Sequence, residues 1–313
     1  MLAFLLRRAL LTVSQILAIS MLAFALLYLF SDNIARNILG ERASEEQVIA
    51  KTMELGLDRP VWERYFLWLG SALQGDLGRS YFTPQSVLDA LGARLPVTLS
   101  LLIATTLVSA VIAFALGMAA GVYRGWLDRV VQVLSVVGYA LPGFLVALLL
   151  VLIFAVQLGW LPATGYVPFT TDPAAWFRSM ILPVAALSLS VIAAVAQQVR
   201  AAVISALNQD YVRTLRSRGL PESTVLLKHV ARNASGTGLT VLGLQFVGLM
   251  GGAIVVEQIF ALPGLGTVAV IYTSRGDIPV VMGLLIVTSL IVAVVNLLVD
   301  IGVTLLNPKA RLA

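Results

Sequence analysis

The sequence predicts an all-α integral membrane protein with six transmembrane helices and an external helical insertion after the first. Of its 313 residues, 59% are apolar and 12% are charged, whereas a soluble domain carries about 25% charged residues. A chain with so much apolar surface needs lipid as its solvent. Six apolar runs reach the length of about 20 residues that a membrane-spanning helix requires. They lie near residues 9–30, 97–123, 130–157, 180–206, 237–258 and 279–306.

The first apolar run follows Arg7 and Arg8, an arrangement that secretory signal peptides share. The apolar stretch of a signal peptide covers about 7–15 residues and ends at a small-residue cleavage site. This run is longer and shows no evident site of that kind. We therefore interpret residues 1–30 as a cytoplasmic N-terminus and a retained first transmembrane helix.

The distribution of charge predicts which side of the membrane each loop faces. With the N-terminus in the cytoplasm, 12 of the 21 basic residues but only four of the 16 acidic residues lie on the cytoplasmic side. Cytoplasmic loops carry an excess of Lys and Arg, so this orientation is favoured and places both termini in the cytoplasm. The charges of the long segment 31–95 carry little weight in this comparison, because long loops translocate largely regardless of charge. The short loops favour the same orientation without it.

The segment 31–96 is the sizeable part outside the membrane, and it predicts short amphipathic helices. Ser44 and Gln47 have the spacing of a capping box, and Gly56 is placed to end that helix. A second helix is predicted to begin near residues 58–60. Its apolar face could pack on the spans or lie among lipid headgroups, and it consists of Trp62, Tyr65, Phe66 and Leu69.

Residues 97–313 predict a core of five transmembrane helices, with loops at 158–180, 207–235 and 259–278. Gly117 with Gly121, and Gly248 with Gly252, have the GxxxG spacing that lets two helices approach closely. Pro142 predicts a kink in the third span, since proline removes a backbone hydrogen bond. The candidates for a transport pathway or gate are Pro142, Gln197, Gln198, Gln245 and Glu257.

The sequence lacks the motifs of an enzyme that acts on its own. It has no G-x-x-x-x-G-K-[ST] phosphate loop, no H-E-x-x-H zinc motif and no cysteine. We therefore expect any ATP to be held by another subunit, and we expect no metal site. The single histidine, His229, lies in the basic segment 207–235 rather than at membrane depth, where a serine nucleophile would need a base. The chain is expected to be non-catalytic.

An ion-coupled secondary transporter is the alternative function, because intramembrane charges mark such proteins. Few are present here. Glu257 lies near the outer end of the fifth span, and Arg200 and Asp300 lie near the inner ends of the fourth and sixth. Charged groups at the ends of spans can reach water along their side chains, and that structural interpretation is favoured for all three.

The basic segment 207–235 is the most informative part of the chain. Residues 210–220 predict a short helix that ends at Gly219, since glycine readily adopts the left-handed conformation after a helix. Pro221 is placed to begin a second short helix. The apolar face of that helix consists of Val225, Leu226 and Val230. Taken alone, these residues favour a docking element for a soluble partner and a solvated positive loop about equally.

The segment Asp210–Ala234, DYVRTLRSRGLPESTVLLKHVARNA, resembles the coupling loop of the permease subunits of binding-protein-dependent ABC importers, in the dipeptide, oligopeptide and nickel branch. Arg213, Thr214 and Leu215 occupy the positions of that family's E-A-A triplet, and Gly219 occupies its glycine. Leu215 departs from the usual alanine. Further similar segments keep the family's order and spacing. They are LDRP at 57–60, GDLGRS at 75–80, RLP at 94–96, GWLP at 159–162, EQIFALPGLG at 257–266, NLLVD at 296–300 and NP at 307–308.

The resemblance implies a type I ABC importer permease fold, in which this chain forms half of the translocation pathway beside a second permease subunit in a heterodimer. Two cytoplasmic ABC ATPase subunits would hold ATP and Mg, and an external substrate-binding protein would deliver the solute, which in this branch is most often a di- or oligopeptide. The complex would lie among the lipids of a bacterial or archaeal cytoplasmic membrane, with no cofactor on this chain and no nucleic acid partner. The residues implied in ATPase coupling are Tyr211, Arg213, Thr214, Arg216, Arg218, Gly219, Leu220, Val225 and His229.

Overall fold

The computed structural model describes residues 2–29 and 34–306, and the regular structure of these residues is helical. The helices are α1 (Leu2–Leu29), α2 (Ile34–Leu39), α3 (Glu45–Glu54), α4 (Val61–Leu73), α5 (Val87–Gly92), α6 (Leu95–Tyr123), α7 (Trp126–Ala140), α8 (Gly143–Leu150), α9 (Pro173–Leu207), α10 (Asp210–Ser217), α11 (Glu222–Thr224), α12 (Ala231–Ile259), α13 (Leu265–Arg275) and α14 (Ile278–Leu306). Two π-helical segments, Val151–Gln157 and Val225–Val230, follow α8 and α11. The NP sequence at 307–308 lies outside the described residues.

The number of spans agrees with the prediction. Five helical stretches of the described chain are long and apolar enough to cross a membrane, and the bent pair formed by α7 and α8 makes a sixth if it counts as one span. This pair bends by 99°, far more than the kink that Pro142 predicted. Leu141 and Pro142 are both extended, so α7 ends and a separate helix begins, with Pro142 at its N-cap.

The chain divides into two compact units, residues 1–97 with 264–293 and residues 98–263 with 294–313. The predicted division into 1–30, 31–96 and 97–313 follows membrane sidedness rather than internal contacts, and it stays a prediction. The first unit contains the short helices α2 to α5 and α13, together with α1 and the first half of α14.

Two short helices of the first unit, α3 and α4, begin where the sequence predicted. Ser44 and Gln47 form the capping box, with the Gln47 backbone N–H donating to the Ser44 hydroxyl at 3.3 Å and the Ser44 N–H donating to Gln47 Oε1 at 3.0 Å. The aromatic residues on the predicted apolar face of α4 differ in burial. Tyr65 is buried against Phe24, whereas Trp62 and Phe66 are exposed.

The predicted loop over residues 259–278 contains a helix, α13, that was not predicted. Flanking Pro and Gly suggested irregular structure, yet Gly264 lies at the N-cap and Gly276, with φ 74°, ends the helix. The helix is stabilised by tertiary packing. Leu265, Val268 and Tyr272 share one face and are buried in a cluster with Val87 and Leu284.

The second unit is organised around α9, which is buried over most of its length and packs against α7, α8 and α12. Glycines permit close contact with it. A Cβ on Gly117 would lie 2.7 Å from the Ala196 carbonyl oxygen, and one on Gly121 would lie 2.7 Å from Val203. The first predicted GxxxG contact is thus confirmed. In the second, Gly252 meets Leu187 of α9, but Gly248 has nothing within 4 Å.

Candidate functional site

The basic segment 207–235 begins with α10, which ends as the sequence predicted. Gly219 has φ 75°, a conformation that costs a residue with a Cβ about 1–2 kcal/mol. Its backbone N–H donates to the Arg216 carbonyl at 2.9 Å, and the Leu220 N–H donates to the Leu215 carbonyl at 3.3 Å. The glycine therefore turns the chain sharply between α10 and α11.

The second short helix that Pro221 predicted is not a separate element. Pro221 lies at the N-cap of α11, which continues through the π-helical segment Val225–Val230 directly into α12. The residues from 222 to 259 form one helical stretch. No glycine or proline lies between Thr224 and Ala231, so nothing in the sequence ends the helix before the fifth span.

Buried valines fix α10 to this long helical stretch. Val212 of α10 and both Val225 and Val230 of the π-helical segment are fully buried, and the two elements pack together. In addition, Asn233 Nδ2 donates to the Tyr211 hydroxyl at 3.3 Å. The helix α10 is therefore packed against the start of the long helical stretch and hydrogen-bonded to its α12 part.

The exposed side of this segment is basic and contains one large apolar side chain. We call it the coupling surface, and it consists of Arg213, Arg216, Arg218, Leu227 and Lys228. Leu227 is 73% exposed, and sequence reasoning missed it. Because Val225 and Val230 point inward, the helical spacing could have indicated an outward-facing residue at this position.

Intramolecular contacts shape the coupling surface. Arg216 donates to both carboxylate oxygens of Glu222, at 3.1 Å and 2.5 Å. Arg213 lies 3.7 Å from Asp210, and both of these side chains are largely exposed. Of the other residues that the resemblance implies in coupling, Tyr211, Thr214 and Gly219 are also exposed, whereas Val225 is buried. The Thr214 hydroxyl donates to the Asp210 carbonyl at 3.0 Å, and Leu220 and His229 are half-buried.

A groove in the second unit includes one residue of the predicted pathway set, Gln245. It has a volume of about 360 Å³ and lies between α8, α9 and α12. Gln245 contributes its amide, and Gly143, next to Pro142, lies at one edge. Gln197 and Gln198 do not line this groove, and Gln198 is exposed. The groove is otherwise lined by small and apolar residues, including Ser190 and Gly252.

The interpretation of the intramembrane charges as water-reaching chain ends was wrong for Glu257. Its side chain is fully buried, and Thr98 of α6 donates a hydrogen bond of 2.5 Å to its carboxylate. Arg200 is partly buried and pairs with Asp128 of α7. Sequence reasoning missed both contacts because their partners lie 159 and 72 residues away.

In the part of the chain that the structure describes, no group of three or more His, Cys, Asp or Glu side chains converges to hold a metal ion. The described residues thus offer an exposed basic face and a mostly apolar groove.

Comparison with known proteins identifies relatives along the whole chain. Residues 113–312 match the family described as the inner membrane component of binding-protein-dependent transport systems, and residues 1–102 match the N-terminal part of that component. A putative peptide transport system permease protein of Brucella abortus (strain 2308) is 39% identical over 312 residues, covering 99% of each chain. The glutathione transport system permease protein GsiC of Escherichia coli (strain K12) is 34% identical over 312 residues, also covering 99% of each.

Proposed function

This chain belongs to the family of inner membrane components of binding-protein-dependent transport systems, and we propose that it is a permease subunit that imports small peptides using the work of separate ATPase subunits. In this proposal it lies in a cytoplasmic membrane with both termini in the cytoplasm. A second, similar permease chain supplies the other half of the pathway, in a heterodimer. An external binding protein delivers the solute.

The observation that carries the proposal is the continuity between the coupling surface and α12. A docked ATPase would hold α10 and the start of the long helical stretch through Arg213, Arg218 and Leu227. Since Val212 and Val225 lock α10 to that stretch, displacement of the docked face would be passed to α12 without an intervening flexible joint. Transport then follows as a shift between inward- and outward-facing populations that the ATPases drive.

The proposed pathway runs along the groove that α8, α9 and α12 line. Gln245 and Ser190 offer hydrogen-bonding groups in a mostly apolar wall, which suits a peptide that must pass without being held tightly. The small residues Gly143 and Gly252 leave room for movement of the neighbouring helices. The break at Pro142 gives α8 freedom to act as a gate.

The proposed solute is a di- or oligopeptide. The names of the relatives support this class, since they are described as permeases of peptide and glutathione transport systems, and glutathione is itself a small peptide. ATP and Mg would be bound by the partner ATPases, and this chain would contribute no catalytic residue. The alternative of an ion-coupled carrier gains no support from the comparisons.

The proposal is tested with the chain expressed together with its partner subunits. A triple variant should abolish both co-purification of the ATPase subunits and ATP-dependent peptide uptake into vesicles. It combines Arg213→Glu, Arg218→Glu and Gly219→Ala. The matched control is Arg42→Glu and Arg275→Glu with Gly40→Ala, which changes two exposed arginines and a glycine with φ 87° in the first unit. Normal uptake and normal ATPase recovery with the first triple variant would refute the coupling assignment.

A further inference from the structure

A pocket in the first unit has no role in the function proposed above. It has a volume of about 330 Å³, and all of its lining residues belong to that one unit. Its walls come from α1, the end of α3, α4, the segment before α5 and the start of α14. Its charged and aromatic lining residues are Phe24, Glu54, Arg59, Arg64, Trp68 and Tyr81.

Two buried hydrogen-bond donors of this pocket have no acceptor among the described residues. Arg64 is only 8% exposed, yet its Nη1 makes no hydrogen bond there, and neither does the indole Nε1 of Trp68. Both residues line the pocket. A buried donor without a partner is costly, and two such donors beside one cavity leave room for an acceptor that is not part of this chain.

The aromatic contacts of Arg64 do not account for its free edge. The guanidinium carbon lies 4.9 Å from the ring centre of Tyr28 and 5.9 Å from that of Phe24. Such contacts use the face of the cation and hold it in place. The Tyr81 hydroxyl, which also lines the pocket, interacts with the Arg64 guanidinium. Nη1 of Arg64 nevertheless has no hydrogen-bond partner among the described residues and needs an acceptor.

The acidic groups around the pocket are already engaged by other donors. Glu54 accepts a hydrogen bond of 2.7 Å from Lys51, and Asp277 accepts from the Ser80 hydroxyl and from the Tyr81 backbone N–H. Arg59 lies 3.5 Å from Glu63. Arg59, the other cation of the pocket, is exposed, whereas Arg64 is buried and its Nη1 has no acceptor among the described residues.

The charge balance favours a monoanion over a dianion. Arg59 and Arg64 both line the pocket, but Arg59 lies 3.5 Å from Glu63 and Glu54 also lines the pocket, so a second negative charge would lack an unpaired cation. A carboxylate can accept from Arg64 Nη1 and Trp68 Nε1 with its two oxygens. The apolar walls, to which Phe24, Leu67 and Ile278 belong, suit the carbon chain of an organic acid.

We propose that this pocket binds the carboxylate of a small organic acid through Arg64 and Trp68, and that the carboxylate is the C-terminal group of the transported peptide. The second half of this inference rests on the proposed function. The pocket lies in the unit that contains the segment predicted to be external, where a released peptide would arrive. It would act as a first contact for the solute on the permease.

The test measures binding to the full-length chain in lipid nanodiscs by equilibrium dialysis with radiolabelled dialanine. Dialaninamide, which lacks the carboxylate, and inorganic phosphate serve as competitors. We expect dialanine to bind, dialaninamide to compete at least about tenfold more weakly than unlabelled dialanine, and phosphate to compete poorly. Arg64→Gln should weaken binding by about tenfold or more, and Trp68→Phe, which keeps an aromatic ring, by a smaller factor.

Two further variants separate binding from folding. Arg64→Lys keeps the positive charge and the contact with the Tyr28 ring but loses the forked N–H geometry, so it should fold normally and still bind more weakly. Arg42→Gln changes an exposed arginine that does not line the pocket and should bind normally. Any one of three results would overturn the inference. They are equal binding of dialanine by wild type, Arg64→Gln and Arg64→Lys, competition by dialaninamide equal to that by unlabelled dialanine, and competition by phosphate stronger than that by unlabelled dialanine.

Failure of this inference can be distinguished from failure of the proposed function. A chain that recovers its ATPase partners and imports peptide, yet binds dialanine with no dependence on Arg64, refutes the pocket alone. A chain that binds dialanine through Arg64 but never associates with an ATPase refutes the proposed function and leaves the carboxylate pocket standing.

Discussion

Arg200 of α9 donates two hydrogen bonds to the carboxylate of Asp128 in the first turn of α7, one of them 2.8 Å long from Nη2 to Oδ2. The two side chains are only 21% and 14% exposed. This bidentate pair ties the central helix of the second unit to the helix that precedes the break at Pro142. Arg200 thus has a charged partner, whereas the sequence predicted that its side chain would reach water.

The Arg200 and Asp128 pair should contribute measurably to stability, because it is partly buried and bidentate. In a double-mutant cycle with Arg200→Gln and Asp128→Asn, we expect a coupling energy of about 1.5–3 kcal/mol in the unfolding of the detergent-solubilised chain. The control cycle uses Arg213 and Asp210, which are 77% and 96% exposed and should couple by less than about 1 kcal/mol. Equal coupling in the two cycles would contradict this assignment.

Replacing Gly117 should destabilise the second unit. Gly117→Ala places a methyl group 2.7 Å from the Ala196 carbonyl oxygen and from Val199, and such overpacking costs about 1–3 kcal/mol. Thermal unfolding of the purified chain measures the loss. The control is Gly251→Ala in α12, where nothing lies within 4 Å and the higher helix propensity of alanine should leave stability unchanged or raise it by about 0.5–1 kcal/mol. A harmless Gly117→Ala would mean that α6 and α9 are not in close contact.

Asp277 should make stability depend on pH. Burial raises the pKa of this carboxyl, against the opposing effect of the hydrogen bonds from Ser80 and Tyr81. The folded chain then holds the proton more tightly than the unfolded chain, so stability falls as pH rises from the ordinary aspartate pKa of about 3.9 through the raised folded value. The melting temperature of wild type relative to Asp277→Asn should decrease across that range. A difference that stays constant or grows with pH would refute a raised pKa.

Gly219 should matter for partner binding more than for the fold of this chain. Gly219→Ala strains a backbone with φ 75° but meets no neighbouring atom within 4 Å. The strain, about 1–2 kcal/mol, should distort the turn beside Arg218 and weaken ATPase association by about fivefold to thirtyfold. Gly40→Ala, with φ 87° and equally free surroundings, should leave ATPase association unchanged. Affinity of the ATPase subunits for nanodisc-held chain provides the measurement.

The membrane architecture was predictable because lipid imposes strong rules on composition and length. The capping box of Ser44 and the end of α10 at Gly219 were predictable because they depend on neighbouring residues alone. By contrast, α13 was missed because its stability comes from burial of Val268 and Tyr272 in a cluster that forms between distant segments. Local signals at Pro263 and Gly264 favoured a loop, and tertiary packing overrode them.

The candidate site was predictable only in part. Its position and basic character follow from residues 210–218, but the fusion of the second helix with α12 depends on the absence of a helix stop, a weaker signal than a helix start. Leu227 was missed because nothing in the sequence distinguishes one exposed leucine from the other leucines of an apolar chain. Glu257 was misinterpreted because its buried partner, Thr98, is supplied by another helix.

The most direct test of the proposed function is to determine on which side of the membrane the coupling surface lies. The sequence contains no cysteine, so single cysteines introduced as Arg218→Cys and Gln47→Cys, both at exposed positions, can be labelled without background. In sealed spheroplasts, a membrane-impermeant maleimide should label Gln47→Cys and should reach Arg218→Cys only after permeabilisation. Labelling of Arg218→Cys in sealed spheroplasts as fast as Gln47→Cys would contradict the proposal that this surface meets an ATPase in the cytoplasm.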